Sequence, residues 1–165
     1  MIKMYLKALD IKILVLMLLA LIASPTLCGK NTYTICLIYS HFLTMYMNNL
    51  YLMLMYQQVD RINLLNDSII TRIGANRFYL YNYLELIIVG IVYNLIIYIS
   101  YYFFFGSIPQ NDIQLTFFFM ILNIIITSIE NSIIYLQLGK KKKFAYLALP
   151  IIINLLFHLS FTQTF

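Results

Sequence analysis

Long apolar runs separated by short polar gaps set the pattern of this chain. Five runs come near the roughly 20 residues that a helix needs to cross a bilayer. They lie at about Ile11 to Leu27, Ile35 to Tyr56, Leu84 to Phe105, Leu115 to Leu138, and Phe144 to residue 162. A chain with its backbone in hydrocarbon must satisfy its polar groups internally, and helices do so segment by segment. The pattern therefore predicts an all-α fold: a polytopic transmembrane helix bundle of about five spans, forming a single domain over residues 1–165.

The gap between Tyr56 and Leu84 is too long for a tight turn and too short for a domain. Ile62, Leu65, Ile69 and Ile73 recur there at three- and four-residue steps, the mark of one helix face. Asn63, Asn66, Asp67 and Arg72 fall mostly on other faces. Gly74 offers a C-terminal stop, and Asn76 a cap for the next helix. The next piece, "RFYLYNYLE", carries the aromatics favoured at headgroup level and runs into the third span. A short cytoplasmic amphipathic helix between spans two and three is predicted, ended by the glycine.

Composition agrees with the bilayer reading. Hydrophobic residues make up 62% of the chain and charged residues 10%, against about 25% charged in soluble domains. The charges are also unevenly placed. Lys3, Lys7 and Lys12 precede or begin the first span, Arg61, Arg72 and Arg77 follow the second, and Lys140 to Lys143 precede the fifth. Ten of the eleven basic residues thus fall on one side, with Lys30 on the other. Basic loops stay in the cytoplasm, so the N-terminus is expected inside and the C-terminus outside.

The first run has two readings. With "ASPTLCGK" it has the outline of a signal peptide with a lipid-attachment cysteine at Cys28. Leu27 is bulky where cleavage wants a small residue, which favours a retained helix. Cys28 and Cys36 bracket a short polar gap, consistent with one disulfide or with two small packing residues.

Signatures of catalysis are missing. "GKKKK" at Gly139 lacks the first glycine and the hydroxyl residue of a phosphate-binding loop. No zinc-protease helix, no serine elbow and no paired glutamates occur. The chain is read as a non-enzyme without metal, cofactor or nucleic acid, with the lipid bilayer as its first partner. His41 and His158 each stand alone inside a predicted helix, as expected of side chains hydrogen-bonded between helices.

Asn123, Thr127, Glu130 and Asn131 are spaced to lie along one stripe of the fourth helix. That stripe reads either as a polar track in the bundle interior or as an interfacial position where Glu130 meets water or the Lys140 cluster. The site of Glu130 toward the cytoplasmic end of its run favours the second. Glu85 is expected at the interface where the third span opens, and Asn94 and Asn154 as glue between helices. The tetralysine is expected to anchor topology and to meet anionic lipid.

The stretch "SIITRIGANRFYLYNYLELIIVGIVYNLIIY" resembles the region after the second span in small permease subunits of bacterial ABC-2-type exporters. Those of bacteriocin or peptide export and self-immunity are the most similar. The basic, glycine and aromatic places of that region are filled here by Arg72, Gly74, Arg77 and Phe78, with Ile73 between, and the resemblance covers roughly residues 57–105. It implies that these residues, within a loop spanning 60–82, dock a separate cytoplasmic ATPase that binds the ATP. It also implies a second permease copy or homologue, and outward movement of a peptide or amphiphile. Such permeases ordinarily have six spans where this chain shows five, which leaves an alternative: a non-transporting immunity or accessory protein of the membrane.

Overall fold

The computed structural model describes residues 10–28 and 42–162, and every regular element among them is helical. Helix α1 spans Ile11–Cys28, α2 Asn49–Leu64, α3 Asn66–Ile73, α4 Ala75–Phe105, α5 Ile113–Tyr135 and α6 Ala145–Thr162. A π-helical segment, Phe42–Asn48, leads directly into α2, and a short 3-10 turn, Gln110–Asp112, precedes α5. The all-α expectation holds in this form. Of the described helices, α4 and the segment containing α5 are long and apolar enough to cross a membrane, whereas α1 and α6 are shorter apolar helices.

Several boundaries differ from the sequence reading. Helix α2 continues to Leu64 instead of ending at Tyr56, and α4 starts at Ala75 instead of Leu84. Neither extension contains a proline or an interior glycine, so nothing in them breaks a helix. The apolar face from Ile62 to Ile73 is carried by two helices, because the chain breaks at Leu65. Gly74 does separate α3 from α4. Its φ of 84° and ψ of 149° lie where glycine alone is comfortable. Its N–H bonds the Ile70 carbonyl at 2.9 Å, and its carbonyl accepts from Phe78 N at 3.1 Å. Asn76 does not cap: it lies inside the first turn of α4, whose N-terminus has no side-chain cap.

Helix α4 is the centre of the bundle, packing chiefly against α5 and α1. The contact with α1 turns on a proline. Pro25 has no N–H, so the carbonyl of Leu21, four residues earlier, loses its helical partner. Ser100 Oγ of α4 donates to that carbonyl at 2.6 Å, and Tyr101 Oη donates to the Ser24 carbonyl at 3.3 Å.

The hydrophobic core is interleaved with polar side chains, and many large apolar side chains face outward. Gln58, Asn94, Ser100, Glu130, Asn131 and His158 are buried, while Leu18, Ile88, Phe103, Phe118, Ile125 and Leu156 are exposed.

Candidate functional site

The interior is built around Gly90 of α4. A Cβ there would lie 2.6 Å from Nδ2 of Asn131, 3.2 Å from Cγ2 of Thr127 and 3.3 Å from the hydroxyl of Tyr51. The missing side chain lets α2, α4 and α5 converge. Asn131 Nδ2 donates to Tyr51 Oη and to the Leu86 carbonyl, both at 2.8 Å. Asn94 Nδ2 donates to Thr127 Oγ1 and to the Gly90 carbonyl, both at 3.0 Å. One helical turn further on, Asn123 Nδ2 donates to Tyr98 Oη at 3.0 Å. The Tyr51 and Tyr93 rings stack at 4.3 Å with 8° between their planes.

The amides spend their N–H groups on this network and leave oxygens over. Asn94 Oδ1, Asn131 Oδ1 and Glu130 Oε1 are buried without a hydrogen-bond partner. Glu130 is 1% exposed. Sequence position favoured the interface for it, and the structure corrects this. The whole stripe of Asn123, Thr127, Glu130 and Asn131 is buried, because that face of α5 is the one packed into the bundle.

A second polar knot ties α6 to the segment before α2. Asn154 Nδ2 donates to the Thr44 carbonyl at 2.9 Å and to Asn49 Oδ1 at 3.0 Å, while Asn48 Nδ2 donates to Asn154 Oδ1 at 3.3 Å. Both Asn94 and Asn154 thus bridge helices as the sequence suggested. His158, one turn beyond Asn154, is fully buried. Glu85 was expected where the third span opens. It lies well inside α4, and its Oε1 accepts from Gln58 Nε2 at 3.4 Å.

Ionic contacts gather at one end of the bundle. Arg61 pairs with Asp10 at 3.2 Å, and Asp10 N donates to Gln58 Oε1. Lys142 pairs with Asp60 at 2.6 Å, and this hydrogen bond holds its ammonium above the ordinary lysine value. Asn63 grips the α5–α6 connection, donating to the Gln137 carbonyl and accepting from Gly139 N at 2.7 Å. The start of α1, the end of α2 and the tetralysine are thereby held together.

The α3–α4 elbow stands at the same end, since Tyr135 Oη donates to the Tyr79 carbonyl at 3.2 Å. Arg72, Gly74 and Arg77 are exposed on it. Phe78 is not: it is fully buried, so it anchors the elbow from beneath and offers no surface. Ile69, Ile70 and Ile73 pack partly against the core.

Sequence reasoning missed Tyr51, Gly90, Asp60 and Gln137. A lone helical glycine beside a facing asparagine stripe was the one available signal for the first two. His41, Cys36, Lys3, Lys7 and Lys30 lie outside the described residues, as does the side chain of Cys28, and with them the disulfide. Among the described residues no group of three or more metal-ligating side chains occurs. A scan of protein-family models and searches of curated proteins and of solved structures gave no match to this chain.

Proposed function

We propose that the protein is an integral membrane subunit of the permease type, which docks a separate ATPase of an ABC-type exporter through residues 60–82 and moves a peptide or other amphiphile outward. The observation that carries this reading is the exposed Arg72–Gly74–Arg77 elbow, at the end of the bundle that also bears Arg61 and Lys140 to Lys143. Basic residues gathered on one side support reading that end as the cytoplasmic one. Two arginines beside a fixed glycine turn form a rigid cationic knob, suited to carboxylates on a partner's surface.

The membrane part of the reading is supported by the exposed apolar belt and by the length of α4. Its 31 residues extend about 46 Å, against a hydrocarbon core of about 30 Å. The surplus is the aromatic stretch after Gly74, which stands at the headgroups and carries the elbow into the cytoplasm.

Co-purification with a cytoplasmic ATPase from the native host tests the docking. Wild type should retain the ATPase, and Arg72→Glu with Arg77→Glu should lose it while the protein stays folded. Equal recovery with both substitutions present would refute the docking role.

A second reading draws on the interior. The space against Gly90 is filled by Asn131, Thr127 and Tyr51, the last stacked on Tyr93, which favours a non-transporting membrane protein of the immunity or accessory type. Vesicles with both subunits and ATP separate the two, since only the exporter would move a labelled peptide.

A further inference from the structure

Between α4 and α5, beside the turn that joins them, lies a cavity of about 180 Å3. Leu95, Tyr98 and Ile99 wall it from α4, Thr116 and Met120 from α5, and Ile108 from the turn. Tyr102 and Phe117, also in its wall, are exposed, so the cavity opens onto the apolar belt of the bundle. A pocket with almost wholly apolar walls that opens onto apolar surface suits an apolar guest better than water.

One group does not suit a dry apolar cavity. Thr116 is 2% exposed, and its Oγ1 has no hydrogen-bond partner. Ser128 and Ser132, further along the same helix, bond back to the carbonyl four residues earlier. Thr116 does not, and a buried hydroxyl left unpaired is costly. A fitting guest is apolar along most of its length and brings one hydrogen-bonding oxygen.

The depth of Thr116 narrows the class. It lies one turn into α5, about 4.5 Å along the axis from Ile113, just below the polar Gln110–Asp112 turn. In a bilayer that level is the border between headgroups and hydrocarbon, where the ester carbonyls of glycerolipids reside. The stretch of α4 from Leu95 to Tyr102 adds an apolar wall of about 10 Å for the methylenes below. We propose that this cavity binds one acyl chain of a membrane glycerolipid, with Thr116 Oγ1 donating to the ester carbonyl oxygen. The proposal rests on the membrane reading above and not on the ATPase.

The chain has no tryptophan, so single reporters can be introduced. Phe117→Trp reports from the cavity, and Phe118→Trp, exposed and outside the wall, from the same depth. Each is reconstituted in phosphatidylcholine vesicles containing increasing fractions of phosphatidylglycerol brominated in its acyl chains. The Phe117→Trp protein should reach half-maximal quenching at a fraction about three- to tenfold lower than the Phe118→Trp protein, the range one hydrogen bond gives. Adding Thr116→Val, which keeps the shape and removes the hydroxyl, should bring the two curves together.

Identical curves for the two reporters, or no shift with Thr116→Val, would overturn the proposal while leaving the membrane reading intact. Low-fraction quenching by a brominated free fatty acid alone would also overturn it, assigning the cavity to a free amphiphile. If neither reporter is quenched by any lipid, the membrane reading fails and this proposal with it.

Discussion

Gly90 of α4 faces Asn131 of α5 so closely that a Cβ on the glycine would sit 2.6 Å from the amide nitrogen. That nitrogen carries both bonds that join α5 to α2 and α4 here, to Tyr51 Oη and to the Leu86 carbonyl. A methyl group at position 90 must displace the amide and forfeit at least one of them. Gly90→Ala is expected to destabilise the protein by about 1–3 kcal/mol. Its effect should be strongly non-additive with Asn131→Ala, since the second change removes the clash. Thermal denaturation of the four variants in detergent gives the coupling. Additive effects would mean that the two helices simply move apart.

Glu130 presents the opposite case, a buried group whose Oε1 finds nothing to bond. Charged residues inside hydrocarbon cost roughly 2.5–3.5 kcal/mol on insertion scales. Glu130→Gln keeps the volume and removes the ionisable carboxyl, so stability should stay level or rise. A clear loss on this substitution would reveal that the carboxylate is held by a bound cation or an ordered donor. Melting curves with and without added sodium would then identify which.

The elbow allows the surface and the anchor to be separated. Arg72 and Arg77 are exposed and Phe78 is fully buried, although one short motif contains all three. Arg72→Glu and Arg77→Glu should leave stability within about 0.5 kcal/mol of wild type. Phe78→Ala should cost about 3–5 kcal/mol. Denaturation of the purified variants checks both. A large loss from either arginine change would place that side chain in an internal contact instead.

How far all this was legible depends on how local each cause is. Gly74 was readable because a backbone turn is a property of a few residues, and its neighbours stop the apolar periodicity there. The stripe from Asn123 to Asn131 was readable from spacing alone. Its burial was not, because the direction in which a stripe faces is fixed by the helices that pack on it. Gly90 was visible only as a lone helical glycine, for the same reason: its cause lies in Asn131, forty-one positions away in sequence, and within its own helix it only weakens propensity. Phe78 shows the limit of a motif, which records adjacency in sequence and not which side meets solvent.

The clamp between Lys142 and Asp60 has a pH signature with a definite sign. The hydrogen bond raises the lysine above its ordinary value. A raised lysine adds stability that is fully present below the unfolded value of about 10.4 and is lost as pH climbs through the higher folded one. The clamp should therefore be constant through the neutral range and weaken only in strong alkali. Asp60→Asn should remove this alkaline component of the melting profile while leaving the neutral range nearly unchanged.

Pro25 and Ser100 form the last testable pair. The proline frees the Leu21 carbonyl, and the serine hydroxyl of a neighbouring helix takes its place at 2.6 Å. Ser100→Ala leaves a half-buried carbonyl without its donor, at about 1–3 kcal/mol. Restoring the helix's own donor should remove that penalty. In a Pro25→Ala background the amide of residue 25 can bond Leu21 directly, and Ser100→Ala should then cost less than about 0.5 kcal/mol. The comparison is internal to one carbonyl, so it does not depend on how the rest of the bundle relaxes. Equal costs in the two backgrounds would mean that the hydroxyl packs against α1 without satisfying it. A smaller cost in the Pro25→Ala background would establish that α1 keeps its proline only because α4 supplies the missing donor.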